Sequence, residues 1–174
     1  MLLVAILIII TLSNSQFDIA FQFQKATSKT SMIGKNNRVY LSAPFNLREE
    51  LKADIVPALQ ESGFRVTSNW LFQAINVLDL HNKMTDNERL EACSLEAWRD
   101  YAEVRQSDIY MRFANTSDHK SLGGKYVEMG IALASHLHII LVGPKECIFD
   151  WMRSVRMHRF DSFAEALREM KRGL

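Results

Sequence analysis

Glu128 stands in SLGGKYVEMGIALA, Ser121 to Ala134, just after a glycine pair and near the head of an apolar run with helical character. Gly123 and Gly124 let the backbone turn sharply and approach a ligand closely. A helix starting there presents free N–H groups and the positive end of its dipole. A carboxylate in or just past that first turn is expected to stay ionised on a rigid support. Two uses are open to it: to cap or salt-bridge its own surroundings, or to attack a carbon. Glycine-rich loops before helices usually hold phosphate. GGKYVEMG, however, lacks the Gly-Lys-Ser/Thr ending of a P-loop and the glycine spacing of the dinucleotide fingerprint, and it does not follow the first strand. A negative side chain at this place suits a sugar better than a phosphate.

The elements that must carry this group can be read from periodicity. RVYLSA, Arg38 to Ala43, is a β-rich run closed by Pro44. Leu47, Leu51, Ile55, Ala58 and Leu59 recur at helical spacing up to Gly63, with Pro57 expected to bend that helix. FRVTS, Phe64 to Ser68, reads as a second strand. Thr85 with Glu88 forms a capping box for a long helix to about Gln106. DIYMRFA, Asp108 to Ala114, and HIILVG, His138 to Gly143, are strands on either side of a helix from Lys125 to about His136. Met157 to Phe160 is a short last strand. Ser162 and Glu165 cap a final helix with Phe163, Ala166, Leu167 and Met170 on its apolar face. Strands alternating with helices predict an α/β fold: a small doubly wound, flavodoxin-like parallel sheet of four to five strands, helices on both faces. Ligands of such sheets bind beyond the carboxyl ends of the strands. That selects Pro44 to Arg48, the segment after Ser68, and Asn115 to Gly124.

Composition excludes several classes. The chain has 174 residues, 48% hydrophobic and 24% charged, enough to bury a core unaided. A net charge of +1 gives no nucleic-acid footprint, so no nucleic acid polymer is expected as a partner. Cys93 and Cys147 form neither a disulfide framework nor a zinc set, and are read as free structural thiols. His136 and His138 are read as a helix end and a strand start, and no metal site is expected.

Three stretches, in order, carry a resemblance. GGKYVEMGIALASHLHIILVGPKECIF, VYLSAPF (Val39 to Phe45) and WRDYAEVRQSDIYM (Trp98 to Met111) resemble segments of the nucleoside 2-deoxyribosyltransferases and their relatives, the deoxynucleoside 5′-monophosphate N-glycosidases. The resemblance covers about Arg38 to Leu174 and implies an enzyme that cleaves the N-glycosidic bond of nucleosides or nucleotides. It implies that Glu128 is the nucleophile, forming a covalent glycosyl-enzyme as retaining glycosidases do. Tyr40 would orient that carboxylate, and Asp100 would contact the nucleobase and protonate it as the bond breaks. Asp108 is read as a strand cap. In NTSDHKS, Asn115 to Ser121, the N-glycosidase relatives grip a 5′-phosphate, which implicates Ser117 and Ser121, with Lys120 or Lys125 adding charge. The spacing from Ser121 to Glu128 is one residue longer than in those glycosidases, so a phosphate requirement stays open. Phe45 and Trp70 are candidate walls for a flat base, and Arg48 a candidate phosphate or sugar contact. Trp70 and Arg48 each have a plainer reading: a core tryptophan, a surface arginine. The chemistry needs no cofactor, and the acceptor of the sugar is water or a second base. The resemblance also implies a homodimer or higher homo-oligomer, for which Phe149, Trp151, Met152 and Met157 offer apolar surface.

The first residues fit a different pattern. Leu2 to Leu12 is an apolar run, too short to span a bilayer, which needs about 20 residues. Residues 1–15 resemble a secretory signal without its basic flank; a non-native start is the other reading. Residues 16–37 are expected to be a poorly ordered polar linker ahead of a domain over 38–174. Nucleotide chemistry belongs in the cytosol, whereas the apolar run suggests export, and Asn115-Thr116-Ser117 is a sequon beside Glu128. Localisation therefore stays open. Two other functions are compatible with the sequence: a nucleotide-sensing module that keeps the pocket without turnover, and a secreted interaction protein.

Overall fold

The structure, a computed structural model, describes residues 32–73, 84–114 and 123–174. The signal-like segment, most of the linker, Ser117, Lys120 and Ser121 lie outside the described residues. Among the described residues five strands form one sheet, β1 (Arg38–Ser42), β2 (Arg65–Val66), β3 (Ile109–Phe113), β4 (His138–Val142) and β5 (Met157–Phe160), in the order β2-β1-β3-β4-β5. Every pairing is parallel. The small doubly wound parallel sheet is as expected from alternating strands and helices; its order is the flavodoxin-like one, in which β1 and β3 flank the switch point.

Parallel strands are buried on both faces, so their side chains divide between two cores. Val39, Leu41, Ile109, Met111, Phe113, Ile140 and Val142 face one side. There they meet Leu51, Ile55, Val56 and Leu59 of a helical segment over 45–61, called α1, and Ala166 and Met170 of the last helix. Tyr40, Tyr110, Ile139 and Leu141 face the other side. They are covered by Val104 of α2 (Asp86–Gln106) and by Met129 and Ala132 of α3 (Gly124–Ala134). The last helix, α4, spans Phe163–Arg172, with Ser162 as its cap. The capping box of α2 is formed as expected: Thr85 Oγ1 accepts from Glu88 N, and Glu88 Oε2 accepts from Thr85 N at 2.8 Å.

Three expectations are revised. The helix after β1 is not one α-helix: a 3₁₀ turn (Phe45–Leu47) and a single α turn (Arg48–Glu50) lead into a π segment (Leu51–Ile55) before α resumes at Val56–Glu61. Pro57, which lacks an N–H, follows directly on the π segment, in the first turn of the resumed helix. The second strand is only Arg65–Val66, because Ser68 Oγ takes over its neighbour's bond, accepting from Leu41 N at 2.5 Å. Residues 32–37, assigned above to the linker, belong to the packed unit that starts at Met32. Ile33 is 4% exposed within the core, and Asn36 N donates to Gly63 O at 2.7 Å. A single apolar side chain in a polar stretch makes no periodic signal, yet it suffices to dock the segment. Among the described residues no helix is long and apolar enough to cross a membrane.

Candidate active site

Gly123 has φ 92°, a left-handed conformation that only glycine adopts cheaply, and it precedes the first turn of α3. Glu128 lies just beyond that turn. Below it, Tyr40 and Ser42 project from the same face of β1, because strand side chains alternate with period two. The Tyr40 hydroxyl donates to Glu128 Oε1 at 3.0 Å, and the Ser42 hydroxyl donates to Glu128 Oε2. Tyr40 stacks on Tyr110, with ring centroids 6.2 Å apart and planes 9° from parallel. The Tyr110 hydroxyl in turn donates to Lys125 O at 2.6 Å, which pins the start of α3 to the sheet. Burial lifts the Glu128 carboxyl above the ordinary glutamate range, while the bonds from Ser42 and Tyr40 pull it back down. Ionisation of Glu128 therefore depends on its two donors. Tyr40 is held far above the usual phenol value, by burial first and the Glu128 charge second, so it stays a donor.

Asp100, on α2, completes the acidic group. Among the described residues its Oδ1 is buried with no hydrogen-bond partner. Burial, then the charges of Glu128, Glu103 and Glu96, push its carboxyl up to about 7, against a weaker pull from the Tyr40 hydroxyl. Two carboxyl groups in different settings, Glu128 bonded at both oxygens by hydroxyls and Asp100 raised to about 7 beside it, can divide the roles of nucleophile and proton donor. Glu103 does neither: it accepts from Asn69 N at 3.0 Å and Asn69 Nδ2 at 2.6 Å, tying the turn after β2 to α2.

The other sequence candidates fall into three groups. Gly123 and Gly124 lie at the head of α3 as expected. Phe45 is 45% exposed, and its ring lies 6.4 Å from that of Trp70. Trp70 packs against both cores and donates from Nε1 to Leu41 O at 2.8 Å, so much of it serves the interior. Arg48 is not a loose surface group. Its guanidinium donates to Leu71 O at 2.8 Å and to Gln73 O, and lies 5.5 Å from the Phe45 ring centroid. These bonds clamp the turn after β2. Asp108 does cap its strand, bonding Arg38 N at 2.8 Å and the Arg38 guanidinium at 3.2 Å.

Lys125, expected to add charge at the phosphate, is instead 4% exposed, with Nζ bonded to both Glu146 carboxylate oxygens at 2.6 and 2.8 Å. Beside it, buried Arg112 pairs with Asp150 at 2.6 Å and approaches Glu146 at 3.7 Å. Burial alone would raise Asp150, but the Arg112 bond and its companions outweigh it and hold the carboxyl below its usual range. This cluster staples the 3₁₀ turn Ile148–Trp151 to β3 and α3. It leaves Ile148, Phe149, Trp151 and Met152 exposed, whereas Met157 is buried and offers no surface. Sequence reasoning named neither Arg112 nor Ser42. For Ser42 a signal existed, since it shares a strand face with Tyr40. For Arg112 none did, since its partners lie far along the chain. Among the described residues no group of His, Cys, Asp and Glu gathers to hold a metal. Both cysteines are free.

No protein-family model matches the chain, and no curated protein matches its sequence. Among solved structures, the 2-deoxyribosyltransferase of the psychrotolerant bacterium Bacillus psychrosaccharolyticus aligns with a TM-score of 0.54 at 20% identity, over 75% of this chain and 90% of that one. The CMP N-glycosidase of Clostridium botulinum aligns with a TM-score of 0.48 at 22% identity, over 76% of this chain and 97% of that one. The chain has the 2-deoxyribosyltransferase fold, so the resemblance read from its motifs is met at the level of fold.

Proposed function

We propose that this chain is a member of the nucleoside 2-deoxyribosyltransferase family that cleaves the N-glycosidic bond of deoxynucleosides or their nucleotides through a covalent intermediate on Glu128. The observation that carries this reading is the Glu128 carboxylate held at both oxygens by Tyr40 and Ser42, with a half-buried Asp100 poised at about 7 beside it. A glutamate that merely capped its helix or paired with a cation would have no need of two buried hydroxyls from the sheet.

In the first step Glu128 attacks the anomeric carbon and forms the ester bond. The carbon–nitrogen bond breaks, its electron pair stays with the base, and the Asp100 proton goes to a ring nitrogen. In the second step water or another base attacks the same carbon, its proton passes to Asp100, and Glu128 leaves as the carboxylate. Phe45, with Trp70 behind it, would wall the flat base. Gly123 and Gly124 would let the backbone approach the sugar, and Ser117 and Ser121 would meet a 5′-phosphate where one is present. A homodimer is part of the same proposal, and the exposed Phe149, Trp151 and Met152 suit its interface.

The test is incubation of the purified protein with deoxynucleosides and their 5′-monophosphates, with and without an acceptor base, and chromatography of the products. Free base alone indicates hydrolysis, and a new nucleoside indicates transfer. Ligand binding without any product would make the chain a nucleotide-binding module and refute catalysis.

A further inference from the structure

Glu128 presents two oxygens, and each takes a different donor from β1. Tyr40 serves Oε1 at 3.0 Å, and the hydroxyl of Ser42, a residue 1% exposed at the strand's last position, serves Oε2. We propose that Ser42 is a positioning residue for the nucleophile, fixing the plane of the Glu128 carboxylate and stabilising it again as the leaving group of the glycosyl ester. The proposal rests on the glycosyl-transfer reading above.

The physical argument starts from the side chain. The terminal torsion of glutamate is broad, so one donor at Oε1 would leave the carboxylate free to swing about its last bond. Two donors two residues apart on one strand remove that freedom. β1 is a rigid support, hydrogen-bonded on one side to β2 and on the other to β3, with Ser42 in register with Arg112. A carboxylate fixed before the substrate arrives loses little entropy in attack. The second step has the same need. Whichever oxygen bonds the sugar, the other becomes the ester carbonyl oxygen and keeps its donor. When the ester breaks, charge returns to a carboxylate whose two oxygens are both already solvated by hydroxyls. Tyr40 alone would leave one oxygen bare in a buried place.

The experiment compares wild type, Ser42→Ala, Ser42→Thr and Glu128→Ala by steady-state kinetics over pH. It also follows the Glu128 carboxyl by carbon NMR titration of the free protein. Loss of the Ser42 bond is expected to move the Glu128 midpoint upward by about one pH unit, since bonds to charged groups are the stronger kind. The acid limb of kcat should move with it. A fall in kcat of about tenfold or more is expected, with KM little changed, and Ser42→Thr, which keeps the hydroxyl, should recover most of the loss. An unchanged Glu128 midpoint in Ser42→Ala, or a Thr variant as impaired as Ala, overturns the proposal. If wild type cleaves nothing, the catalytic reading fails by itself, and the titration still tests the Ser42 contact. Should Ser42→Ala not fold, Ser42→Cys, of similar volume and weaker as a donor, gives the same readings.

Discussion

Replacing Asp100 by asparagine should make the protein more stable and less active, and the pH at which each effect appears is set by the structure. The Asp100 carboxyl rises from 3.8 to about 7 on folding, through burial first and the neighbouring Glu128, Glu103 and Glu96 charges next. A folded protein that binds a proton more tightly than the unfolded chain loses stability as pH rises through that interval. Below the unfolded value Asp100 is neutral in both states and costs little, whereas at about pH 8 its charge is fully opposed. The full interval would correspond to about 4 kcal/mol. Asp100 is only half-buried, and solvent screening reduces that to about 2 kcal/mol. An asparagine side chain carries no charge at any pH, so Asp100→Asn should gain about 2 kcal/mol at pH 8, or about 4–8 °C in Tm, and little at about pH 4. Cleavage should fall about 10²–10⁴-fold, and the alkaline limb near pH 7 should disappear from the rate profile. Glu128→Gln should lower the Asp100 midpoint, because the Glu128 charge is the second cause of its rise. Thermal melts at the two pH values, with rates from about pH 5 to 9, give the answer. A variant no more stable at the higher pH than wild type, or one that keeps the alkaline limb, would refute the assignment of Asp100 as a strained proton donor.

Glu128→Ala should abolish cleavage while leaving the far-ultraviolet circular dichroism unchanged, and mass spectrometry of quenched wild type should show a glycosyl adduct on the peptide bearing Glu128. Asp150→Ala removes the partner of a buried arginine and should cost about 3–5 kcal/mol in urea unfolding, more than any surface ion pair. His158, on β5, is depressed by burial first and then by His138 and Arg159. Its folded value lies below the unfolded one, so stability should be lost as pH falls below about 6.5. His158→Gln should flatten that slope in melts between about pH 7 and 5.

Local interactions made much of the molecule legible. The Thr85–Glu88 cap, the strand at Met157–Phe160 and the alternation of strands with helices all depend on neighbours a few residues apart, which a linear reading can see. The glycine hinge before Glu128 was visible for the same reason: a left-handed residue at a helix start is a local demand. The π segment over Leu51–Ile55 and the two-residue β2 were not visible. Each is settled by what packs or bonds against it from elsewhere, as Ser68 does for Leu41.

Chemistry divides along the same line. A parallel α/β sheet, the succession of its elements and the carboxylate at the head of α3 can be read along the linear chain, because periodicity and backbone sterics act over short range. What surrounds that carboxylate is set by long-range packing. Ser42 and Tyr40 reach Glu128 from the far end of the domain's chain, and Lys125 turns from an expected anion contact into the buried partner of Glu146. Burial and the field of nearby charges depend on the packed geometry, so the proton held by Asp100 near neutral pH is a property that no spacing along the chain encodes.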